Sequence, residues 1–493
     1  RAGSSSPVID HLIGLRDPQQ NREARERRPL ASKDQVERAL TFPDFQVTGQ
    51  PLNAKQRDAI RVGLQRPFSV VQGPPGTGKT TFLVALAMSV LNLEKDPSLE
   101  RDSRQVGGKR RPQGPGKILI CTPSNQAADE VLDRLVRQTS IIADQFLLRI
   151  YARSIERAHE SNEEDESFSI RPDLKAHSLH FKTVNQPSMR GLEASWDRSY
   201  LQAYQAAEKA VLERACIVVT TCASAYCHPA LVSRGRCTTN FATVIVDEAA
   251  QATEPDVVLP ALLAEDRVVL VGDHKQLGPV IVENNLCRAY LGALETPMLE
   301  RMHKSPETLP EHTMLNTQYR MHSSIRCFPS ARFYDSQLND ADSTQTADWQ
   351  SNIWKAVGQY VVFVDCSRPH AFGSVMDVGS GRSRGSTTLE NNTSMLNRGE
   401  AQVIAEACKR LLQGGVAPAD IAIITPYRAQ KKEIQEALRK ARVRVDSGIV
   451  IGTVYTLQGS ERDYVLISFV RSTSENAVVM QTSAHATGFG DVT

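Results

Sequence analysis

The segment Gly73 to Thr80, GPPGTGKT, constrains the fold of this chain more than any other, because it fits the spacing G-x-x-x-x-G-K-[ST]. The run Phe68 to Gln72 (FSVVQ) before it is typical of a short buried strand, and Thr81 to Leu93 (TFLVALAMSVLNL) after it is typical of a helix. In such a strand–loop–helix unit, glycines let backbone N–H groups surround phosphate oxygens. The sequence therefore predicts a phosphate-binding loop.

Different residues of this loop are expected to bind the nucleotide phosphates and the metal ion. The Lys79 ammonium can reach the outer phosphates, and the Thr80 hydroxyl can ligate Mg²⁺. The helix N-terminus adds partial positive charge. The predicted nucleotide-binding residues of the loop are Gly73, Gly76, Gly78, Lys79, Thr80 and Thr81.

Short β-branched runs recur downstream and are separated by helix-length segments, which is typical of buried parallel strands in a doubly wound α/β domain. The runs of this first series are Phe68–Gln72, Lys117–Cys121, Cys216–Thr220, Thr243–Asp247 and Arg267–Val271. A second series predicts another α/β domain. Its candidate strands are Thr313–Thr317, Tyr360–Asp365, Ile421–Thr425, Gly448–Gly452 and Tyr464–Phe469.

These patterns predict two tandem parallel-sheet domains preceded by an N-terminal remnant or linker at 1–50. The first domain would span 51–290 and contain a mainly helical insertion at about 151–214. The second would span 291–493. Residue 1 is Arg, so the chain is expected to be a fragment of a longer protein, and the family resemblance given below implies that its second domain is shortened at the C-terminus.

Acidic and amide side chains follow the predicted strands of the first series. The run TVIVD ends in Asp247 and is followed by Glu248. The first carboxylate can hold Mg²⁺, and the second can deprotonate an attacking water. Gln276 follows the strand VVLVG and is placed to sense a γ-phosphate, since ligands collect at the carboxyl ends of such strands. Gln56 precedes the phosphate loop, and its amide suits an adenine edge, although a surface helix position is the simpler interpretation of Gln56 alone.

Composition limits how the chain could bind nucleic acid, whether it could span a membrane and in which cellular compartment it would be found. The chain has 493 residues, a net charge of +2 and 41% hydrophobic residues, so nucleic acid would have to bind in a local basic groove. No apolar run approaches the roughly 18 residues of a membrane span. The nine cysteines form no C-x-x-C pair, which favours reduced thiols in the cytoplasm or nucleus. Cys222, Cys227, His228 and Cys237 are clustered without a standard zinc spacing, which favours buried thiols over a metal site.

Taken together, the ordered motifs resemble those of superfamily 1 helicases of the up-frameshift and senataxin group, and most closely the large helicase-with-zinc-finger proteins. The resemblance spans about residues 51–469. The segments that carry it are LNAKQRDAI from Leu52, GPPGTGKTT from Gly73, TPSNQAADEV from Thr122, VVTTCASA from Val218, DEAAQATEP from Asp247, GDHKQLGPV from Gly272, QYRMH from Gln318, ITPYRAQ from Ile424 and TVYTLQGSERDYV from Thr453.

The resemblance implies two RecA-like domains with ATP and Mg²⁺ between them, single-stranded RNA (or DNA) as partner, and 5′→3′ movement. Gln56 and Tyr319 would hold adenine, Glu461 would contact the ribose, and Arg320 would act as an arginine finger from the second domain. Thr80 and Asp247 would serve Mg²⁺, and Lys79, Glu248 and Gln276 would act on the phosphates and water. The residues implied to line the single strand are Pro123, Ser124, Asn125, Thr220, Thr221, Tyr427 and Thr456. An ordinary strand end is the alternative for Thr220 and Thr221.

The sequence departs from the family at one motif, and three alternative functions are compatible with it. The family has a basic helix after QGSE that carries a second arginine, and the chain ends at a segment resembling its lead-in. A fragment without that arginine is expected to bind nucleotide but hydrolyse it slowly. The alternatives are a nucleotide-binding RNA scaffold with little hydrolysis, a DNA-directed helicase with or without a nuclease, and another phosphate-loop enzyme such as a nucleotide kinase.

Overall fold

The computed structural model describes residues 30–40, 51–95, 116–137, 146–160, 170–192, 197–233, 236–239, 241–281, 288–304, 311–344, 360–364, 366, 372–376, 393–444 and 448–470. The chain divides into two compact units, residues 1–345 and residues 346–493. Among the described residues, no helix combines the length and the apolar content needed to cross a membrane.

The strands of the first unit are short, from two to nine residues long. They are β1 (Phe68–Gln72), β2 (Ile118–Thr122), β3 (Leu147–Ile150), β4 (Ile217–Thr221), β5 (Val232–Ser233), β6 (Arg236–Cys237), β7 (Phe241–Val246), β8 (Ala264–Gly272), β9 (Glu311–Met314), β10 (Thr317–Gln318) and β11 (Asn339–Asp340).

One seven-stranded sheet organises this unit, in the order β3-β4-β2-β7-β8-β1-β9. Every neighbouring pair in it is parallel. β1, β2, β4 and β7 are buried along their whole length. Continuous β-branched runs suit such strands because helices cover both faces of a parallel sheet. The carboxyl ends of β1, β2, β4, β7 and β8 therefore meet at one edge, which confirms the predicted α/β class.

Helices connect these strands and bury both faces of the sheet in two apolar clusters. The helices of the first unit are α1 (Lys33–Leu40), α2 (Ala54–Gln65), α3 (Lys79–Lys95), α4 (Asn125–Val136), α5 (Arg153–Glu160), α6 (Leu179–Val184), α7 (Arg198–Arg214), α8 (Cys222–Cys227), α9 (Glu254–Ala261), α10 (Arg288–Glu295), α11 (Met298–Lys304) and α12 (Ser323–Phe333).

The described part of the connection between β3 and β4 is mainly helical, as the sequence predicted for the insertion. It contains α5, α6, α7 and two short 3₁₀ turns at Lys175–His177 and Pro187–Met189. Asp197 caps α7 by accepting a hydrogen bond from the backbone N–H of Tyr200. The sequence interpretation missed β3 itself, the strand that joins the edge of the sheet immediately before this insertion.

The division between the two units differs from the predicted boundary at 290/291. β9 pairs in parallel with β1, with Val71 opposite Thr313, so this strand completes the first sheet. The sequence interpretation had assigned it to the second domain, because a four-residue strand shows no sign of which sheet will accept it. Likewise, Val36 and Ala39 of α1 pack in the first core, although 1–50 was predicted to be a remnant or linker.

The second unit contains a smaller parallel sheet, in which the strand Ile421–Ile424 lies between Val450–Gly452 and Tyr464–Ile467. It also contains an antiparallel pair of strands, Phe372–Met376 with Thr393–Asn397. Its helices pack against Ile421, Ile423, Ile451 and Tyr464 of the small sheet. Its elements are β12 (Phe372–Met376), β13 (Thr393–Asn397), α13 (Arg398–Gln413), β14 (Ile421–Ile424), α14 (Arg428–Lys440), β15 (Val450–Gly452) and β16 (Tyr464–Ile467).

The strand predicted at Tyr360–Asp365 does not form within the described residues 360–364. Phe363 is 82% exposed there, so the apolar run has no sheet to enter in the part of the chain that is described. A β-branched run meets the composition of a strand but still needs a partner strand for its backbone hydrogen bonds.

Candidate functional site

The phosphate loop connects β1 to α3 in the order that the sequence predicted. Gly76 and Gly78 adopt left-handed backbone angles, φ +75° and +77°, which glycine reaches without steric cost. Thr77 closes the turn, because its hydroxyl donates to the Pro74 carbonyl at 2.7 Å. The α3 helix begins at Lys79, so Thr80 and Thr81 occupy its first turn. The loop and the helix N-terminus therefore form the anion cradle expected of such a segment.

The Lys79 side chain lies over this loop. Its Nζ donates to the Gly73 carbonyl at 2.9 Å and lies 3.7 Å from Glu248 Oε1. A side chain at Gly73 would overlap the Lys79 methylene groups. The ammonium is therefore held between the loop and the tip of β7.

Asp247 and Glu248 follow β7 at the carboxyl edge of the sheet. Asp247 is 4% exposed. Burial raises the pKa of the Asp247 carboxyl, the neighbouring Glu248 carboxylate raises it further, and the Lys79 ammonium opposes both. A buried carboxylate with a raised pKa gains most from a cation beside it, so the environment of Asp247 suits a divalent metal ion together with Thr80.

Glu248 stands out for its backbone. It has φ +50°, an uncommon value for a non-glycine residue and one that is concentrated at functional sites. Its carboxylate Oε2 accepts a hydrogen bond from Gln251 Nε2 at 3.0 Å. Sequence analysis overlooked Gln251, although its position three residues after Glu248 places both in one tight turn.

Asp273 organises the end of β8 and holds Gln276. The carboxylate is 1% exposed. It accepts hydrogen bonds from Gln276 Nε2 at 2.9 Å and from the Tyr334 hydroxyl at 2.6 Å, both through Oδ2. It also accepts one from Gln72 Nε2 at 3.2 Å through Oδ1. Sequence reasoning selected Gln276 and missed Tyr334, which lies 61 residues beyond Asp273 in the chain and immediately after α12.

The predicted adenine contacts lie beside the phosphate loop. Gln56 is 3% exposed, and both ends of its amide have partners. Its oxygen accepts from the Asn53 backbone N–H at 3.1 Å, and its Nε2 donates to the Thr77 carbonyl at 3.3 Å. Asn53 in turn donates from Nδ2 to the Tyr319 hydroxyl at 2.9 Å. Asn53 and Gln56 form a capping box on α2, a signature that the sequence contains and that was overlooked.

Arg320 belongs to the first unit, not to the second as the sequence interpretation expected. β9 runs beside β1, and the chain that follows β9 reaches the phosphate loop, where the Tyr319 N–H donates to the Gly76 carbonyl at 2.8 Å. A Cβ added at Gly76 would stand 2.7 Å from the Arg320 Cβ. The backbone of Arg320 is therefore packed against the loop whose phosphates the side chain was predicted to contact.

Of the predicted nucleic-acid contacts in the first unit, one is misplaced. Thr220 is completely buried, and its hydroxyl donates to the Ile150 carbonyl at 2.8 Å, which corrects its assignment to the surface and agrees with the alternative of a strand end. Thr221 caps α8 and is 8% exposed. Pro123 and Ser124 connect β2 to α4, Ser124 caps this helix, and Asn125 is its first residue. This connection stands at the same sheet edge as the phosphate loop.

Three predicted site residues lie in the second unit. Tyr427 immediately precedes α14, at its N-cap position. Thr456 is exposed, and its hydroxyl accepts from the Thr453 N–H at 2.8 Å. Glu461 is exposed three residues before β16. The contacts predicted for them with nucleic acid and ribose stay predictions.

No group of three or more His, Cys, Asp or Glu side chains that could hold a metal ion occurs among the described residues. Cys222 is buried as expected, whereas Cys227 and Cys237 are exposed.

Comparison with known proteins covers both units. Two family models, each described as "AAA domain", match the chain, one at residues 51–186 and 151–284 and the other at residues 294–489. A crystal structure of T4 UvsW covers 95% of this chain and 69% of its own with 12% identity, but its TM-score of 0.31 supports no conclusion about the fold.

Three curated relatives are similar over most of the chain. ATP-dependent helicase upf1 of Schizosaccharomyces pombe is 29% identical over 88% of this chain and 43% of its own length. Regulator of nonsense transcripts 1 homolog of Arabidopsis thaliana is 30% identical over 88% of this chain and 31% of its own. The human 3′-5′ exoribonuclease HELZ2 is 31% identical over 86% of this chain and 14% of its own. The chain thus spans less than half the length of each of these relatives. With the phosphate loop, the Asp247–Glu248 pair and the two matched models, these similarities place the chain in the superfamily 1 helicases of the Upf1-like group.

Proposed function

We propose that this chain is the motor region of an ATP-dependent helicase or translocase that acts on single-stranded nucleic acid, with RNA favoured and movement 5′→3′. The observation that carries the proposal is the convergence of Lys79, Glu248 and Gln276 on one edge of one sheet. Family membership adds that relatives named as ATP-dependent helicases share most of this chain.

The residues present fit ATP with Mg²⁺. The Lys79 ammonium donates to a carbonyl of the phosphate loop and lies beside the Glu248 carboxylate. Phosphate oxygens, which are also negatively charged hydrogen-bond acceptors, would interact with the ammonium in the same way. Thr80 and Asp247 would hold Mg²⁺, and the ion would neutralise charge that develops on the phosphates. Tyr319 and Gln56 both contact the phosphate loop. An adenine ring would stack on the Tyr319 ring and form a hydrogen bond with the Gln56 amide, once that amide has released the Asn53 backbone N–H.

Glu248 is suited to accept a proton from the attacking water. The pair Gln251 and Lys79 holds its carboxylate from two sides, which keeps the group oriented. A positioned general base contributes about 10²–10⁴-fold to such a reaction. Gln276, oriented by Asp273, is placed to respond to the γ-phosphate.

Measured turnover of ATP with and without single-stranded RNA tests the proposal. We expect RNA to stimulate hydrolysis by the wild-type chain, and Lys79→Ala to lose nucleotide binding and turnover together. Lys55→Ala, which removes an exposed lysine from α2, is the matched control and should behave as wild type. A chain that binds nucleotide and RNA but shows no turnover even in a single-turnover assay would instead be a nucleotide-dependent scaffold.

Matched RNA and DNA duplexes with 5′ or 3′ single-stranded extensions separate the finer alternatives. Unwinding that requires a 5′ extension and prefers RNA agrees with the proposal. Unwinding of DNA alone would make the chain a DNA-directed helicase, and phosphate transfer to a nucleotide acceptor would make it a kinase.

A further inference from the structure

The most unusual buried side chain outside the nucleotide site is Arg149, in the middle of β3. It is 0% exposed, and its neighbours in the same row of the sheet are Val219 and Ile120. The adjacent strand residues Leu148 and Ile150 are buried on the opposite face of the sheet. A guanidinium therefore occupies a position where the sheet otherwise uses β-branched apolar residues.

Each nitrogen of the buried guanidinium donates a hydrogen bond, and the three acceptors are of different kinds. Its Nε donates to Asp129 Oδ1 at 2.8 Å, its Nη1 to the Ile150 carbonyl at 2.6 Å, and its Nη2 to Asn125 Oδ1 at 2.9 Å. It also lies 3.9 Å from the centroid of the Tyr151 ring, and the Tyr151 hydroxyl donates to Asp129. The arginine thus joins the end of β3 to the first two turns of α4.

Burying the Arg149 guanidinium and the Asp129 carboxylate in the core has an unfavourable desolvation free energy. Taking two charges out of water costs several kcal/mol per ion in proteins, and apolar side chains of similar volume often replace buried ion pairs without loss of stability. Packing alone therefore does not explain Arg149. What the guanidinium supplies, and an apolar residue could not, is a fixed orientation for the Asn125 amide.

That orientation follows from the chemistry of the two side chains. Arginine has donors and no acceptor, so the amide group that faces Nη2 must be the oxygen of Asn125. The Nδ2 donors of Asn125 are consequently on the side of the amide away from the guanidinium. Asn125 is the first residue of α4, and this helix begins at the same sheet edge as the phosphate loop.

We propose that Arg149 is a positioning residue for nucleic-acid binding: it holds the Asn125 amide with its oxygen inward, so that Nδ2 donates to a phosphodiester oxygen of the bound single strand. This inference deepens the proposed function and rests on it. A neutral donor at a helix N-terminus positions the backbone without reading bases, so RNA and DNA should depend on it alike.

A double-mutant cycle tests the proposal on the full chain. The variant Arg149→Met with Asp129→Asn removes the guanidinium without leaving an unpaired buried carboxylate, and the amide introduced at position 129 can still accept from the Tyr151 hydroxyl. We expect its affinity for a fluorescein-labelled single-stranded oligouridylate, measured by anisotropy, to fall about tenfold, as does that of Asn125→Ala. With Asn125→Ala already present, the Arg149 and Asp129 changes should alter affinity less than about twofold, because contacts in one network are not additive.

Two further variants exclude a merely structural role. Arg267→Met removes another buried arginine, one that donates to the Leu64 carbonyl near the opposite end of the sheet, and should leave oligonucleotide affinity unchanged. Asn125→Asp keeps an oxygen toward Arg149 but presents a second oxygen to the phosphate, and should weaken binding more than Asn125→Ala. Thermal melting of each variant shows whether it is folded.

The outcomes separate this inference from the function on which it depends. If the wild-type chain binds neither oligouridylate nor oligothymidylate, the proposed function fails and the inference fails with it. If the wild type binds and the Arg149 and Asp129 changes weaken binding equally with and without Asn125→Ala, Arg149 acts on the fold and not through Asn125. If those changes leave binding at wild-type strength, the inference is wrong while the proposed function stands.

Discussion

The Lys79 ammonium lies 3.7 Å from the Glu248 carboxylate, across the space between the phosphate loop and the end of β7. Both groups are mostly buried, and each has one further polar partner, the Gly73 carbonyl for Lys79 and the Gln251 amide for Glu248. The group predicted to bind phosphate and the group predicted to activate water are therefore paired with each other.

Glu248→Gln should separate nucleotide binding from hydrolysis. The amide can still accept from Gln251, but it cannot take a proton from water, so we expect single-turnover hydrolysis to fall about 10²–10⁴-fold. Affinity for a fluorescent ATP analogue should stay equal to that of wild type or increase, because Lys79 loses its competing ion pair. Hydrolysis at the wild-type rate would remove Glu248 from the role of general base.

Gly76→Ala tests how closely the Arg320 segment packs on the phosphate loop. Alanine at φ +75° has a backbone penalty, and its Cβ would stand 2.7 Å from the Arg320 Cβ. Gly191→Ala is the matched control, since Gly191 has φ +79° and no atom within 4 Å of an added Cβ. We expect the control to lose about 1–2 kcal/mol in the free energy of unfolding from the backbone alone.

The Gly76 variant should lose about 1–3 kcal/mol more than this control, because a close contact is added to the same backbone penalty. Denaturant titration of both variants gives the comparison. Equal losses would mean that the Arg320 segment does not pack against the loop in solution.

Local patterns in the sequence predicted the first sheet and its phosphate loop well. β1 begins and ends at the predicted residues, and β2, β4, β7 and β8 overlap their predicted runs, because buried parallel strands have a continuous apolar signature. The strand–loop–helix order around Lys79 follows from spacing alone. These features depend on neighbours in the chain, which a sequence displays directly.

The features that the sequence did not predict depend on contacts between residues that are far apart in the chain. The pairing of β9 with β1, which moves Arg320 into the first unit, joins residues more than 200 positions apart. Thr220 lies in the motif VVTTCASA, but β3 pairs with its strand and places Ile150 opposite it. The sequence did not predict β3. Tyr334 and Arg149 are ordinary polar residues in the sequence, and only the fold shows that one reaches Asp273 and the other Asn125.

Tyr334→Phe should destabilise the first unit by removing a donor from a buried carboxylate. Asp273 is 1% exposed and would keep its bonds to Gln72 and Gln276 while losing the short bond from the hydroxyl. An under-satisfied buried group costs about 1–3 kcal/mol, and we expect a loss of that size in denaturant titration. Tyr226→Phe, at an exposed tyrosine of α8, serves as control and should change stability little. Identical curves for the two variants would contradict the bond to Asp273.

Glu156→Gln should change how stability depends on pH. Burial, reinforced by the Glu208 carboxylate, raises the pKa of Glu156 to about 8. Burial, with Arg153 adding to it, lowers the pKa of His228 to about 4, and the two side chains lie 4.0 Å apart. Both are therefore neutral in the folded protein at pH 7. In the unfolded chain, Glu156 ionises at about pH 4.3 and His228 loses its proton at about pH 6.5.

The sign of each contribution follows from which state binds more protons. Between about pH 4 and 6.5 the unfolded state binds a proton at His228 that the folded state does not, so that term raises stability as pH rises. Between about pH 4.3 and 8 the folded state binds a proton at Glu156 that the unfolded state lacks, so that term lowers stability as pH rises. Above about pH 6.5 only the Glu156 term remains of these two.

From about pH 6.5 to 8 the wild-type chain should therefore lose about 1–2 kcal/mol relative to Glu156→Gln, which has no proton to release. Denaturant titrations of both proteins at several pH values measure this difference directly, and common effects of other titrating groups cancel in it. Glu213→Gln, which removes an exposed carboxylate from α7, controls for the loss of one negative charge. A constant difference between wild type and Glu156→Gln across this window would show that Glu156 is already ionised in the folded chain and that its burial is relieved by a neighbouring cation such as Arg153.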